Sequence, residues 1–271
     1  MLSTELKASL SECLKELHLP TVRTCYEGEA DRARQESLAY ERYLAEVMER
    51  ERETRRQNRI QRLLSASKLP LEKSIEAFEM SRLPSRLAAQ VNSLLEGSFV
   101  SRSENVLAFG HPGSGKTHLL CGIGQCLIQQ GRRIFFTPCS LLVQQLLIAK
   151  RDLRLPKALK SLSKYDALII DDIGYVQQDR EEMEVLFILL AEFYERGSLM
   201  ITSNLPFSKW ERIFKDPMTT AAAIDRLVHH SIILELNLPS YRLAHSKANK
   251  GAGKSQRQHL QGEKANGNDR L

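Results

Sequence analysis

The run Gly110-His111-Pro112-Gly113-Ser114-Gly115-Lys116-Thr117 constrains this chain more than any other feature. It fills the pattern G-x-x-x-x-G-K-[ST] completely. The apolar run Val106–Phe109 precedes it, and a stretch with Leu119, Leu120, Ile123 and Leu127 on one helical side follows. Strand, glycine turn and helix in that order predict a phosphate-binding loop. Glycines let the backbone wrap a phosphate with successive N–H groups pointing inward, and the helix N-terminus adds the positive end of its dipole. Lys116 then reaches the β- and γ-phosphates as a point charge, and the Thr117 hydroxyl becomes a Mg²⁺ ligand. His118, in the first helical turn, is grouped with the loop as a nucleotide contact. The expected ligands are ATP and Mg²⁺.

Four further apolar runs fall at Ile134–Thr137, Ala167–Ile170, Leu199–Thr202 and Ile232–Leu236, with helical patterns between them. Each is continuous rather than alternating, as strands covered on both faces are. The alternation predicts an α/β fold with a parallel sheet. Ligands of such sheets sit at the carboxyl ends of the strands. The run ending at Ile170 meets Asp171 and Asp172 there. Asp171 is expected beside the Mg²⁺ of Thr117, and Asp172 could orient the attacking water. Capping of the next turn is the simpler role for either acid. The run ending at Thr202 is followed by Ser203 and Asn204, whose amide could touch the γ-phosphate or the water, or could form an Asx turn before Pro206. Arg226, in the helical run Ala221–Leu227 before the last strand, would be placed for a neighbouring subunit's ATP.

Residues 1–67 read as a charged helical domain, 68–103 as a connector carrying Pro70 and Pro84, 104–243 as the ATPase domain and 244–271 as a disordered basic tail too polar to offset its ordering entropy. Leu6, Leu10, Cys13, Leu14 and Leu17 recur at helical spacing until Pro20. Tyr40, Tyr43, Leu44, Val47 and Met48 give a second helix an apolar stripe. Between Met48 and Ile60 nothing is apolar, so that stretch is expected to face solvent or a partner. The five cysteines form no Cys-x-x-Cys pair and read as reduced thiols, which fits a cytoplasmic protein. No apolar run approaches the roughly 20 residues that cross a bilayer.

With 39 Lys+Arg against 33 Asp+Glu, the net charge of +6 fits a polyanionic partner. Two clusters localise it. Arg52, Arg55, Arg56 and Arg59 form one stripe on a helix, matched to a line of phosphates unless Glu49, Glu51 and Glu53 pair with them. Lys150, Arg151, Arg154, Lys157 and Lys160 follow the second strand by one helix. Neither cluster interleaves aromatics, so base stacking is not suggested, and binding should be sequence-tolerant and salt-sensitive.

Glu104–Leu107, the loop Gly110–Thr117, Ile170–Gly174, Ile201–Pro206, Asp225–His230 and Ser240–Leu243 together resemble the IstB family of transposition helper ATPases, relatives of the DnaC and DnaA replication proteins. The likeness runs from about residue 5 to 243. It implies an AAA+ sheet of strand order 5-1-4-3-2 and a small N-terminal helical domain. It implies homo-oligomeric, ATP-dependent assembly on double-stranded DNA and cooperation with a transposase encoded beside it. Asn204 corresponds to sensor 1 and Arg226 to the arginine finger, and the cluster at 150–160 falls where DnaA-like ATPases face nucleic acid. Asp172 stands where many AAA+ motors carry Glu. Asp is one methylene shorter, which predicts a slow, switch-like ATPase.

Three other readings compete. A DnaC-type helicase loader shares the core and differs in its partner; a neighbouring transposase gene would separate the two. A small-molecule P-loop kinase needs an acceptor site and an Arg-rich lid, and no clear lid is legible. A nucleotide-gated scaffold would keep its activity without hydrolysis.

Overall fold

The computed structural model describes residues 4–174, 180–210 and 217–240. The tail from 244 onward and the expected Tyr241-Arg242-Leu243 element lie outside them. The chain divides between Leu63 and Leu64 into two compact units.

In the first unit, α1 (Thr4–Glu16), α2 (Pro20–Gln35) and the part of α3 (Tyr40–Ser67) up to Leu63 enclose a small core of Leu14, Val22, Tyr26 and Val47. The expected apolar stripe of α3 is only half used. Val47 and Tyr43 meet this core, whereas Tyr40, Leu44 and Met48 are exposed. A helix turns about 100° per residue, so the line Tyr40–Leu44–Met48 lies beside the packed line and not on it.

The polar stretch after Met48 also departs from expectation. Glu51 is only 2% exposed. Its Oε2 accepts the backbone N–H groups of Thr21 (2.8 Å) and Val22 (3.1 Å), which the first turn of α2 leaves unpaired. Its Oε1 accepts Arg55 Nε at 2.7 Å, and Arg55 Nη2 donates to the His18 carbonyl. Burial pushes the Glu51 carboxyl up, but Arg55 and the two amides outweigh it and hold its pKa below the usual carboxylate range. A depressed pKa means this stabilisation is complete above the unfolded value of about 4.3 and is lost as pH falls through the folded one. Glu51→Ala is expected to cost the full chain about 2–3 kcal/mol at neutral pH, with the difference from the parent shrinking below about pH 4. Denaturant melts of both proteins across pH 3–7 measure it.

The second unit carries a five-stranded sheet of β1 (Asn105–Phe109), β2 (Ile134–Pro138), β3 (Ala167–Asp171), β4 (Ser198–Ser203) and β5 (Ser231–Glu235). Their order is β2-β3-β4-β1-β5 and every pairing is parallel, as expected. Leu107, Leu168, Ile170, Leu199 and Ile201 share a core with α7 (Cys139–Arg151), α8 (Leu155–Leu162), α9 (Arg180–Phe193) and α10 (Pro217–Val228). Ile169, one residue out of phase, meets α6 (Lys116–Gln129) on the other side. Alternation of side chains along a pleated strand produces these two covered faces. The expected connector belongs to this unit: α4 (Ser85–Leu95) buries Leu87, Val91 and Leu94, and a short α5 (Ser98–Ser101) buries Phe99 and Val100. No helix among the described residues is long and apolar enough to cross a membrane.

Candidate nucleotide site

The loop leaves β1 at Phe109 and enters α6 at Lys116, at the carboxyl edge of the sheet. Gly113 (φ 83°) and Gly115 (φ 97°) take left-handed conformations that side chains resist. A Cβ on Gly115 would also come within 2.9 Å of the Phe78 ring, and one on Gly113 would collide with Ser240 Oγ. The turn borders a pocket. Phe78 lines that pocket with Lys73, Arg82, Leu238, loop residues Pro112–Thr117, His118 and Asp172. Its enclosed volume is about 200 Å³, and it opens to solvent at the mouth. His118 takes a supporting place: its Nε2 lies 2.8 Å from the Ser74 carbonyl and its ring meets Phe78 edge-on, so it fixes the wall. His111 is exposed at the outer side of the turn.

Three observations fit this cradle to a triphosphate. Lys116 is 5% exposed, and its ammonium donates to the loop's own Gly110 (2.8 Å) and His111 (3.0 Å) carbonyls. Ser114 Oγ is buried without a hydrogen-bond partner among the described residues. The Asn204 Oδ1, just past β4, is likewise buried and unpartnered, and Asn204 lines a second cleft on the Gly110–His111 side of the loop. Buried polar atoms of this kind need a partner supplied from elsewhere.

Both carboxylates sit at the end of β3, which β4 separates from β1. Thr117 Oγ1 donates to Asp171 Oδ1 at 2.8 Å, and Thr202 Oγ1 donates to the same oxygen at 2.7 Å. Two hydroxyls on Oδ1 leave Oδ2 available for a cation. Thr202 Oγ1 also accepts the Asp172 N–H at 2.8 Å. Asp172 sits at φ 59°. A residue there costs of order 1–3 kcal/mol and persists where surrounding contacts fix it. Thr202 is the functional residue that sequence reasoning passed over. Its only signal is register: β3 and β4 pair Ile170 with Ile201, so the following residues, Asp171 and Thr202, stand side by side.

Arg226 lies at the other edge. Its neighbour Leu227 accepts Asn105 Nδ2 at 3.1 Å, and Asn105 Oδ1 accepts Leu199 N–H at 2.9 Å. Asn105 begins β1, so Arg226 stands roughly one strand length, about 15 Å, below the loop. Its guanidinium stacks 4.4 Å above the Phe187 ring, with Nη1 buried and unpartnered among the described residues. It does not join Lys116 and Asp171 within one chain.

The two basic clusters differ. On α3, Arg52, Arg55 and Arg56 pair with Glu49, Glu51 and Glu53, and Arg59 is exposed. Lys150 pairs with Glu184 at 2.8 Å. Arg151, Arg154 and Lys157, around the α7–α8 turn, are exposed with no ion-pair partner among the described residues. Leu153, between them, is 91% exposed with φ 56°. Cys121 is buried in α6, and burial pushes its thiol up to about 12, so it is inert at neutral pH.

Comparisons with known proteins agree with this geometry. The chain is 44% identical over 237 residues to an insertion-sequence ATP-binding protein of Sinorhizobium fredii, covering 87% of this chain and 80% of that one. It is 36% identical over 251 residues to one of Geobacillus stearothermophilus, covering 93% and 100%. Domain III of the replication initiation protein DnaA from Thermotoga maritima superposes with a TM-score of 0.53 at 19% identity, over 70% of this chain and 77% of that one. That last likeness shows the fold alone, a parallel five-stranded sheet flanked by helices. The match to the IstB-like ATP binding protein family spans residues 12–249, and the chain belongs to that family.

Proposed function

We propose that this protein is a slow, Mg²⁺-dependent ATPase that oligomerises on duplex DNA and assists the transposase of an insertion sequence. The observation that carries the nucleotide chemistry is the convergence of Thr117 and Thr202 on one oxygen of Asp171, next to Lys116 and the open turn. Thr117 and Asp171 would hold Mg²⁺, which would supply positive charge to the phosphates. The loop amides bind phosphate, and Lys116 exchanges its two carbonyls for phosphate oxygens. Asp172, fixed through Thr202, orients water, and Asn204 offers its amide to the γ-phosphate side. Arg226 serves the site of a neighbouring chain. The insertion-sequence names of the relatives support the transposase as partner.

The α7–α8 turn is the better-supported DNA contact, because Arg151, Arg154 and Lys157 have no acid to neutralise them among the described residues. Each phosphate contact contributes about 0.9 to the slope of log affinity against log salt. Replacing all three residues by alanine is expected to weaken duplex binding and flatten that slope by roughly 2–3. The matching triple change at Arg52, Arg56 and Arg59 should do less. Fluorescence anisotropy across a salt series measures both, and an unchanged slope in the first variant removes this surface from the reading.

The function as a whole is tested by imaging the full chain with ATP, duplex DNA, both or neither. Assemblies should need both ligands, and the cognate transposase should be stimulated only under those conditions. Assembly indifferent to ATP refutes the reading.

A further inference from the structure

A second constellation of donors lies away from the nucleotide pocket, where α9 turns into β4 and α10 turns into β5. Glu195 holds the first turn in a left-handed conformation (φ 58°), and His229 and His230 occupy the second. One donor atom from each of these three residues lies within 4.8 Å of the other two. His230 Nε2 stands 3.9 Å from Glu195 Oε1, and the two imidazole centroids are 4.2 Å apart, edge to face. Tyr194 Oη lies 3.3 Å from His229 Nδ1.

We propose that Glu195, His229 and His230 form a site for a borderline divalent transition ion of the Zn²⁺ or Co²⁺ type. A simple ion pair would use one imidazole. Here two are packed edge to face beside one carboxylate. Two neutral imidazoles and one carboxylate are instead the donor set that suits zinc and its neighbours, whereas Mg²⁺ and Ca²⁺ prefer oxygen alone. Metal–ligand bonds of about 2.0–2.2 Å in a tetrahedron put donors about 3.3 Å apart. The side chains are exposed, so small rotations close the remaining gap without disturbing the core. Tyr194 supplies the outer contact that metal-bound histidines commonly have. It engages Nδ1 of His229 and leaves Nε2 for the ion. Three protein ligands leave a fourth position for water.

The place of the site gives it a consequence. Its residues follow directly on α9 and α10, the helices joined by the Arg226–Phe187 stack. An ion there would staple the ends of these helices together. The inference does not rest on the nucleotide reading, since none of its ligands lines that pocket.

Untagged full-length protein titrated with Co²⁺ should show saturable visible d–d bands at one ion per chain. Zn²⁺ should displace them, a large excess of Mg²⁺ should not, and Zn²⁺ should raise the melting temperature. His229→Ala and His230→Ala, each checked for an unchanged circular dichroism spectrum, should lose the bands. Lys116→Ala should keep them, which separates this site from the phosphate loop. Absence of saturable uptake at micromolar protein, or uptake that survives both histidine substitutions, overturns the proposal.

Discussion

Lys116→Ala will abolish productive nucleotide binding while leaving the fold intact. The ammonium is nearly buried, and its hydrogen bonds go to Gly110 and His111 of the loop it serves. Truncating one member of a buried charge contact costs about 2–5 kcal/mol. ATP affinity should therefore fall roughly 30- to several-thousand-fold. Assembly on duplex should disappear with it at ATP concentrations that saturate the parent. Isothermal titration gives the affinity, and a thermal melt without nucleotide checks the fold. A variant that binds ATP and assembles like the parent would remove the basis for the proposed function.

Arg226→Ala will lower hydrolysis more than it lowers binding. The residue stands about one strand length from its own phosphate loop, fixed there by the tie between Asn105 and Leu227. On the proposed reading, its contact with a triphosphate is made on another chain. A guanidinium supplied in trans is worth on the order of 10³-fold or more in rate. The expected result is near-normal ATP affinity with turnover reduced by about that factor. Mixing gives the sharper test. Arg226→Ala and Lys116→Ala proteins are each inactive, but a mixed assembly contains interfaces with an intact loop on one side and an intact arginine on the other. Partial recovery of hydrolysis is expected on mixing. An Arg226→Ala protein with undiminished turnover rules out the trans role.

The nucleotide site was legible where chemistry and sequence spacing coincide. The loop, the acids at the end of β3 and the amide after β4 each sit at a strand end, and an apolar run followed by polar residues marks that end directly. All five strands fall within one residue of the expected runs. Strand order came from the resemblance, because spacing alone does not say which parallel neighbours pair. Thr202 escaped because its importance depends on cross-strand register. Glu51 escaped because its partners, Thr21 and Val22, lie about 30 positions away and are backbone amides, which carry no residue-type signal. Tyr40, Leu44 and Met48 show the converse. Their helical spacing predicts a packed face, but spacing cannot say whether the chain supplies anything to cover it. The arginine stripe on α3 is similar: the pattern was correct, and the acids beside it take up much of its charge.

The separation of Arg226 from Lys116 sets the arithmetic of any assembly. With the trans role proposed for Arg226, a chain with its nucleotide at one edge and its finger at the other would join copies head to tail, through two different surfaces. In a closed ring every interface is complete, so n chains have n working sites. In an open spiral the terminal loop lacks a donor, leaving n−1. A dimer would run at half capacity per chain and a long filament near full capacity. Specific activity should then climb with the length of duplex offered until the count of interfaces overtakes the two ends.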